Sequence, residues 1–280
     1  MAVSLPLLFD ITSRVALVSG GAGLLGEQFC KTLAAAGAKV VVADLNIEKA
    51  TTITEQLQEE GYQALPLQVD ITSKQSVQEM LDTVLHAYAR LDILVNSAAM
   101  DPKFDGQERG KVESGAFETY PLESWQQALD VNLTGTFLCC QAAVEPMLAQ
   151  GSGVIINIAS MYGMVAPDQR LYETDESKKD AANRRYKPVY YPVTKAGILG
   201  MTRYLAAYYG EQKIRVNALT PGGVYNQHDD AFLTAYAARS ILGRMAQKDE
   251  LNGALLFLAS DASSYMTGSN LVVDGGWTAW

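Results

Sequence analysis

The sequence predicts an α/β protein: a doubly wound parallel sheet of about seven strands with helices on both faces. Two patterns point to it. Short β-branched apolar runs recur along the 280 residues, and between most of them lie longer segments whose apolar residues return with helical period. Strands alternating with helices join by right-handed crossovers, which makes the strands parallel and covers both sheet faces.

In chain order, strands are expected over 14–19, 39–43, 64–69, 91–95, 154–159, 214–219 and 270–273, and helices over 24–36, 47–60, 73–89, 122–149 and 193–209. Gly37 and Gly61 directly follow helical segments, where a left-handed cap favours glycine. No repeat or low-complexity linker interrupts the order, so residues 1–280 read as one domain. Two connections, 99–121 and 162–188, are longer than turns. Each follows the carboxyl end of a strand, where open parallel sheets bind ligands, and both are expected to wall a substrate pocket.

A net charge of -9 argues against broad binding to nucleic acid or an anionic membrane, because the average field repels phosphate. No segment has the roughly eighteen uninterrupted apolar residues of a membrane span. Residues 1–10 lack the basic region and apolar run of a signal peptide, so a cytoplasmic protein is expected. The three cysteines (Cys30, Cys139, Cys140) are odd in number and have no metal-ligand spacing, and the histidines are only His86 and His228. Neither a disulfide framework nor a metal site is expected.

Ser19-Gly20-Gly21-Ala22-Gly23-Leu24-Leu25-Gly26 follows the first strand and opens the first helix. In that context glycines let the backbone approach a pyrophosphate at a helix N-terminus, so Gly20, Gly23, Leu25 and Gly26 are candidate dinucleotide contacts. A glycine-rich turn with no ligand is the competing reading. Asp44 ends the second strand about twenty residues further on, where a carboxylate accepts ribose hydroxyls and repels a 2′-phosphate. No Arg or Lys lies between Gly20 and Gly26 or directly after Asp44, so NAD is preferred over NADP. A strand-end cap is the alternative for Asp44. Asp70, with Ile71 beside it, is placed to meet the adenine. Asn96, in Asn96-Ser97-Ala98-Ala99, either ties the turn after the fourth strand or approaches the ribose, with Ala98 beside it. Asp70 and Asn96 also suit plain turn-forming roles.

Tyr191-Pro192-Val193-Thr194-Lys195 sets a phenol and an ammonium on one helical face. A phenol is a poor base at neutral pH unless a neighbouring cation favours its phenolate, and Lys195 is expected to be that cation. Chance produces this pattern often, and its company is what raises it. Ile155-Ile156-Asn157-Ile158-Ala159-Ser160 delivers a hydroxyl to the sheet's carboxyl edge, suited to a carbonyl oxygen on which charge develops. Asn132 lies within a long helical stretch, where its amide competes with backbone hydrogen bonds and is expected to open the helix to hold a water. After the sixth strand, Pro221 and Gly222 suit the nicotinamide face and the Val224 backbone its carboxamide.

Together these residues resemble the short-chain dehydrogenase/reductase family, from Val15-Ala16-Leu17-Val18-Ser19-Gly20 to Val272-Val273-Asp274-Gly275-Gly276. The resemblance implies a Rossmann-like, nicotinamide-dependent oxidoreductase. It makes Tyr191 the acid/base, Lys195 its pKa-lowering partner and ribose ligand, Ser160 the carbonyl polariser and Asn132 the water-relay residue. It also implies a homodimer or homotetramer through helices 122–149 and 193–209, although burial within one chain explains the same apolar stripes.

Three features depart from the family pattern. The glycine spacing follows the larger, sugar-nucleotide branch; Asn96-Ser97-Ala98-Ala99 replaces Asn-Asn-Ala-Gly; and about thirty residues separate Ser160 from Tyr191. The first raises a nucleotide-sugar epimerase or dehydratase as a rival. The short remainder after Tyr191 and its Val-Asp-Gly-Gly ending favour the compact branch. A ketoacyl-carrier reductase and a non-catalytic dinucleotide-binding sensor are further alternatives, the last disfavoured by the intact Tyr-Lys-Ser-Asn set.

For the substrate, Gly243-Arg244-Met245-Ala246 and the ending Gly275-Gly276-Trp277-Thr278-Ala279-Trp280 resemble bacterial members linked to sugar or surface-glycan metabolism, which makes a sugar or sugar-acid alcohol/ketone pair the leading reading. Lys178, Lys179, Arg184, Arg185 and Lys187, opposed by Asp180, either attract an anionic substrate or form a solvated lid face. Tyr162, Tyr172 and Tyr186 either line a polyhydroxylated ligand or pack the insertion.

Overall fold

In this computed structural model the described residues are 5–101, 115–172 and 184–280. Seven strands, β1 (Val15–Ser19), β2 (Lys39–Asp44), β3 (Ala64–Gln68), β4 (Ile93–Asn96), β5 (Gly153–Ile158), β6 (Ile214–Pro221) and β7 (Asn270–Val273), form one parallel sheet in the order β3-β2-β1-β4-β5-β6-β7. The chain winds outward from β1 to β3, then crosses back to place β4 on the other side of β1. That reversal leaves a crevice at the carboxyl ends of β1 and β4, where Ser19 pairs with Asn96.

Helices cover both faces: α1 (Leu24–Ala35), α2 (Ile47–Glu59), α3 (Lys74–Tyr88), α4 (Leu122–Leu129), α5 (Thr136–Gln150), α6 (Tyr190–Tyr209), α7 (Asp230–Ala237) and α8 (Asn252–Ala259). One face packs Phe29, Leu33, Leu57, Leu255 and Leu258 on Val40 and Ile156. The other packs Val77, Leu81, Val84 and Met147 on Leu17, Leu94 and Ile155. Every residue of β1, β4 and β5 is buried, because helices cover both sides; this is why these strands read as unbroken apolar runs. Gly37 and Gly61 adopt φ of +93° and +89° after α1 and α2, as their positions suggest. Burial pushes the thiols of Cys30, Cys139 and Cys140 upward, so all three stay protonated at neutral pH.

The helix expected over 122–149 is continuous, but it passes through a π-helical turn at Asp130–Gly135 between α4 and α5. The extra residue of such a turn frees local backbone bonding, and Asn132 turns its amide out of the helix. Its Oδ1 accepts the Met100 N–H (2.6 Å) and its Nδ2 donates to the Met100 carbonyl (3.0 Å), clasping the connection that follows β4.

A polar tie crosses the sheet below the crevice. Fully buried Asn157 of β5 accepts a hydrogen bond from Asn96 Nδ2 (2.8 Å) and donates to Thr202 Oγ1 on α6 (3.0 Å). Removing its amide takes one hydrogen bond from each of two buried side chains, so Asn157→Ala is expected to lower stability by about 1–3 kcal/mol. Urea denaturation measures this, and a loss below about 0.5 kcal/mol would show the tie to be dispensable.

Candidate active site

A cleft of about 520 Å³ runs along the carboxyl edge of the sheet, from the glycine turn after β1 to the loop after β6. At one end the backbone comes close only because side chains are missing. A Cβ on Gly20 (φ +66°) would sit 2.6 Å from the Ala98 backbone, and one on Gly26 would sit 2.0 Å from the Gly20 carbonyl oxygen. Gly23 caps α1 without a side-chain hydrogen bond, which suits the positive end of that helix to an anion. These residues fit a dinucleotide pyrophosphate.

The Asp44 carboxylate accepts the Ala22 N–H (3.0 Å) and the Asn46 N–H (2.9 Å), so it does brace the strand end. It also lines the cleft, where its remaining lone pairs are available to hydroxyls. Lys187 and Lys195 are the cations lining the cleft among the described residues, and both belong to its other end. Asp70 accepts the Thr72 N–H (2.9 Å) and hydroxyl (2.6 Å) in a side-chain turn, and it lines the cleft with Ile71. Leu25, Ala98, Pro221, Gly222 and Val224 line it too.

Asn96 and Asn132 do not line the cleft. Asn96 points into the sheet, donating to Asn157 and to Cys140 Sγ (3.2 Å), so its side chain serves the tie rather than a ribose. Asn132 does open its helix. Its amide, however, is spent on Met100 and on Thr194 Oγ1 (3.3 Å), which leaves a water relay only its backbone carbonyl, already accepting from Thr136 Oγ1 (3.1 Å).

At the far end Tyr191, Ser160 and Lys195 meet. Ser160 follows β5, where its Oγ accepts the Tyr162 N–H (3.2 Å) and hydrogen-bonds the Tyr191 phenol. Lys195 lies one turn beyond Tyr191 on α6, donates to the Ile158 carbonyl (2.8 Å) and stands 5.8 Å from the centre of the Tyr191 ring. The electrostatics correct the expectation that this ammonium brings the phenol down. Desolvation, followed by the Asp101 charge, holds the Tyr191 phenol well above its ordinary value, with the Ser160 hydrogen bond working the other way. Burial lowers the Lys195 ammonium to about 8, Asp101 pulls it back up, and Lys187 presses it further down.

Asp101, which the sequence did not single out, and Lys187, expected there only as part of a basic cluster, face this centre. Lys187 is buried and paired with Asp101, and its ammonium lies 4.1 Å from the centre of the Tyr191 ring. It is therefore not part of a solvated lid face. Lys178, Lys179 and Asp180 lie outside the described residues, Arg184 is exposed, and Arg185 and Tyr186 are half-buried. The substrate side is aromatic: Tyr162 and Tyr172 share a hydroxyl–hydroxyl contact of 3.3 Å, Phe232 stacks on His228 at 4.8 Å, and Tyr236 accepts the Gly223 N–H at 2.6 Å. Sequence reading missed the residues from α7 because they reach the cleft through tertiary packing rather than through a motif. A carboxylate so soon after β4 was the one signal for Asp101. Among the described residues no helix is long and apolar enough to cross a membrane, and no cluster of metal-ligating side chains is present.

The family model described as enoyl-(acyl carrier protein) reductase matches residues 21–278. The D-threitol dehydrogenase of Mycolicibacterium smegmatis is 34% identical over 275 residues, covering 96% of this chain and 95% of its own. A short-chain type dehydrogenase/reductase from Mycobacterium marinum superposes with a TM-score of 0.85 at 32% identity, over 99% of this chain and 100% of its own. A gluconate 5-dehydrogenase from Burkholderia cenocepacia, solved with NADP and tartrate, gives 0.84 at 30% identity over the same shares. With the glycine cradle, the parallel sheet and this agreement along nearly the whole chain, the protein belongs to the short-chain dehydrogenase/reductase family of oxidoreductases.

Proposed function

We propose that the protein reversibly oxidises a secondary alcohol of a sugar- or polyol-type substrate with NAD, using Tyr191 as acid/base. The observation that carries this is the meeting of Tyr191, Ser160 and Lys195 at the opposite end of one cleft from the glycine cradle. The dinucleotide would be held by Gly20, Gly23, Leu25, Gly26, Asp44, Asp70, Ile71, Ala98, Pro221, Gly222 and Val224. Bound NAD supplies a hydride acceptor and a positive charge beside the phenol. Ser160 then donates to the substrate oxygen while Oη of the Tyr191 phenolate takes the alcohol's proton, and in the reverse direction the phenol returns that proton. Lys195, with its ammonium near 8, gives or takes a proton within the working pH range. It also adds positive charge where the phenolate forms.

The substrate class is supported by the relatives, a D-threitol dehydrogenase and a gluconate 5-dehydrogenase, and by the hydroxyl-rich wall of Tyr162 and Tyr172. An acyl-carrier substrate fits less well, because a charged pair stands beside Tyr191. An epimerase or dehydratase fits less well because β6 and β7 of the same sheet follow Tyr191. A pure sensor has no use for the acid/base group. Residues 1–280 would act as one domain, with the connections 99–121 and 162–188 walling the pocket. A homodimer or homotetramer is supported by Phe137, Leu148, Val193, Tyr204 and Tyr208, exposed on α5 and α6. Three protonated free thiols accord with a cytoplasmic setting.

Tyr191→Phe is expected to cut alcohol oxidation by at least about 100-fold while NADH binding, read by quenching of protein fluorescence, is kept. Unchanged turnover would exclude the base assignment. Because the phenol starts above its ordinary value, alcohol oxidation should rise as pH climbs past neutrality, whereas ketone reduction, which needs the protonated phenol, should be fastest on the acid side. Coincident profiles would exclude this role. For the cofactor, NADH should bind at least about tenfold more tightly than NADPH, with Asp44→Ala narrowing the gap; tighter binding of NADPH would refute the NAD assignment.

A further inference from the structure

Two residues from different connections converge on the reaction centre. Asp101 follows the β4 turn, two residues beyond Ala99, and Lys187 closes the 162–188 connection just before α6. Lys187 is held in place by its backbone: its N–H donates to Gln169 Oε1 (2.8 Å) and its carbonyl accepts from Gln169 Nε2 (3.3 Å). The ammonium is thereby fixed against both Asp101 and the Tyr191 ring. Asp101 is held from its other side, because the residue before it is the Met100 clasped by Asn132.

The two partners are unequal in exposure, 7% for the Lys187 side chain and 50% for that of Asp101. The ammonium is the buried anchor and the carboxylate is presented to the cleft. Asp101 Oδ1 accepts from Lys187, and its Oδ2 has no hydrogen-bond partner among the described residues. A half-exposed carboxylate oxygen in a cleft wall accepts hydroxyl donors well and repels anions. A substrate carboxylate seeking Lys187 would have to displace Asp101 and face its charge.

Resting on the dehydrogenase reading above, we propose that Asp101, anchored by Lys187, determines specificity by accepting the hydroxyl next to the reacting alcohol, so that the substrate is an uncharged vicinal diol or polyol rather than a sugar acid. Tyr191 and Ser160 then engage one oxygen while Asp101 engages its neighbour. Lys187 ties the pair to the phenol, its ammonium lying 4.1 Å from the centre of the Tyr191 ring. The basic character of the 178–187 stretch does not select an anion at this position, because Lys187 is already neutralised.

The test compares 2-butanol, 2,3-butanediol and 3-hydroxybutanoate as substrates with NAD, for the wild-type protein, Asp101→Asn, Lys187→Arg and the double variant Asp101→Leu/Lys187→Met. The double variant replaces the ion pair by apolar side chains and leaves no unpaired buried charge. Ratios of kcat/KM within one preparation cancel any loss of folded protein. The wild type should favour the diol over the mono-alcohol by at least about tenfold, and over the hydroxy acid by at least as much. Asp101→Asn and the double variant should bring the diol to mono-alcohol ratio down by about tenfold, chiefly through KM for the diol, and Lys187→Arg should keep most of the preference. Preference for the hydroxy acid, or a diol ratio unchanged in both Asp101 variants, overturns the assignment and leaves the dehydrogenase reading standing. Absence of nicotinamide reduction with all three alcohols overturns both.

Discussion

Desolvation at the end of β5 governs the chemistry of this molecule. The Lys195 ammonium is buried and donates to a backbone carbonyl, that of Ile158, so its charge is costly and its proton loosely held. The same poor access to water holds the Tyr191 phenol protonated. Burial therefore moves the two groups in opposite senses, the cation down and the phenol up. A positive charge arriving beside the phenol is then felt strongly, because little solvent screens it.

Position at this centre is passed along a short chain of contacts. The π-helical turn turns Asn132 outward, Asn132 clasps Met100, Met100 leads into Asp101, and Asp101 pairs with Lys187 against the Tyr191 ring. On the opposite wall the Asp168 carboxylate joins Arg170 (2.8 Å) and Arg239 of the segment after α7 (2.5 Å), which keeps the Tyr172 turn against Phe232. Those guanidiniums hold the Asp168 carboxyl well below the usual carboxylate range, so the brace persists in mild acid. Two walls that differ in sequence origin are thus pinned by local ion pairs rather than by the sheet.

The sheet was legible because its strands obey a simple rule: residues 154–158, covered on both faces, carry no outward-facing polar alternation apart from Asn157. Asn132 was legible as a disturbance of its helix, since an amide competes with backbone bonds, but its target Met100 was not, because no periodicity links the two. The pairing of Asp101 with Lys187 was hidden for the same reason: it joins residues 86 positions apart, in two connections without regular structure. Asp44 had been weighed as either a ribose ligand or a strand-end cap, and its carboxylate both braces backbone N–H groups and opens onto the cleft. The direction of the Tyr191 shift was misjudged because a four-residue spacing reveals proximity to a cation but not the removal of water.

The π-helical turn sets the register of the helix that follows it. Each residue advances an α-helix by about 100°, so winding 130–135 as ordinary α-helix with all six residues kept would rotate everything after it by roughly that angle. Cys139, Cys140, Ala143 and Met147, which now face the sheet, would swing away from it. The phase of a whole core helix is thus set by the winding of a single turn.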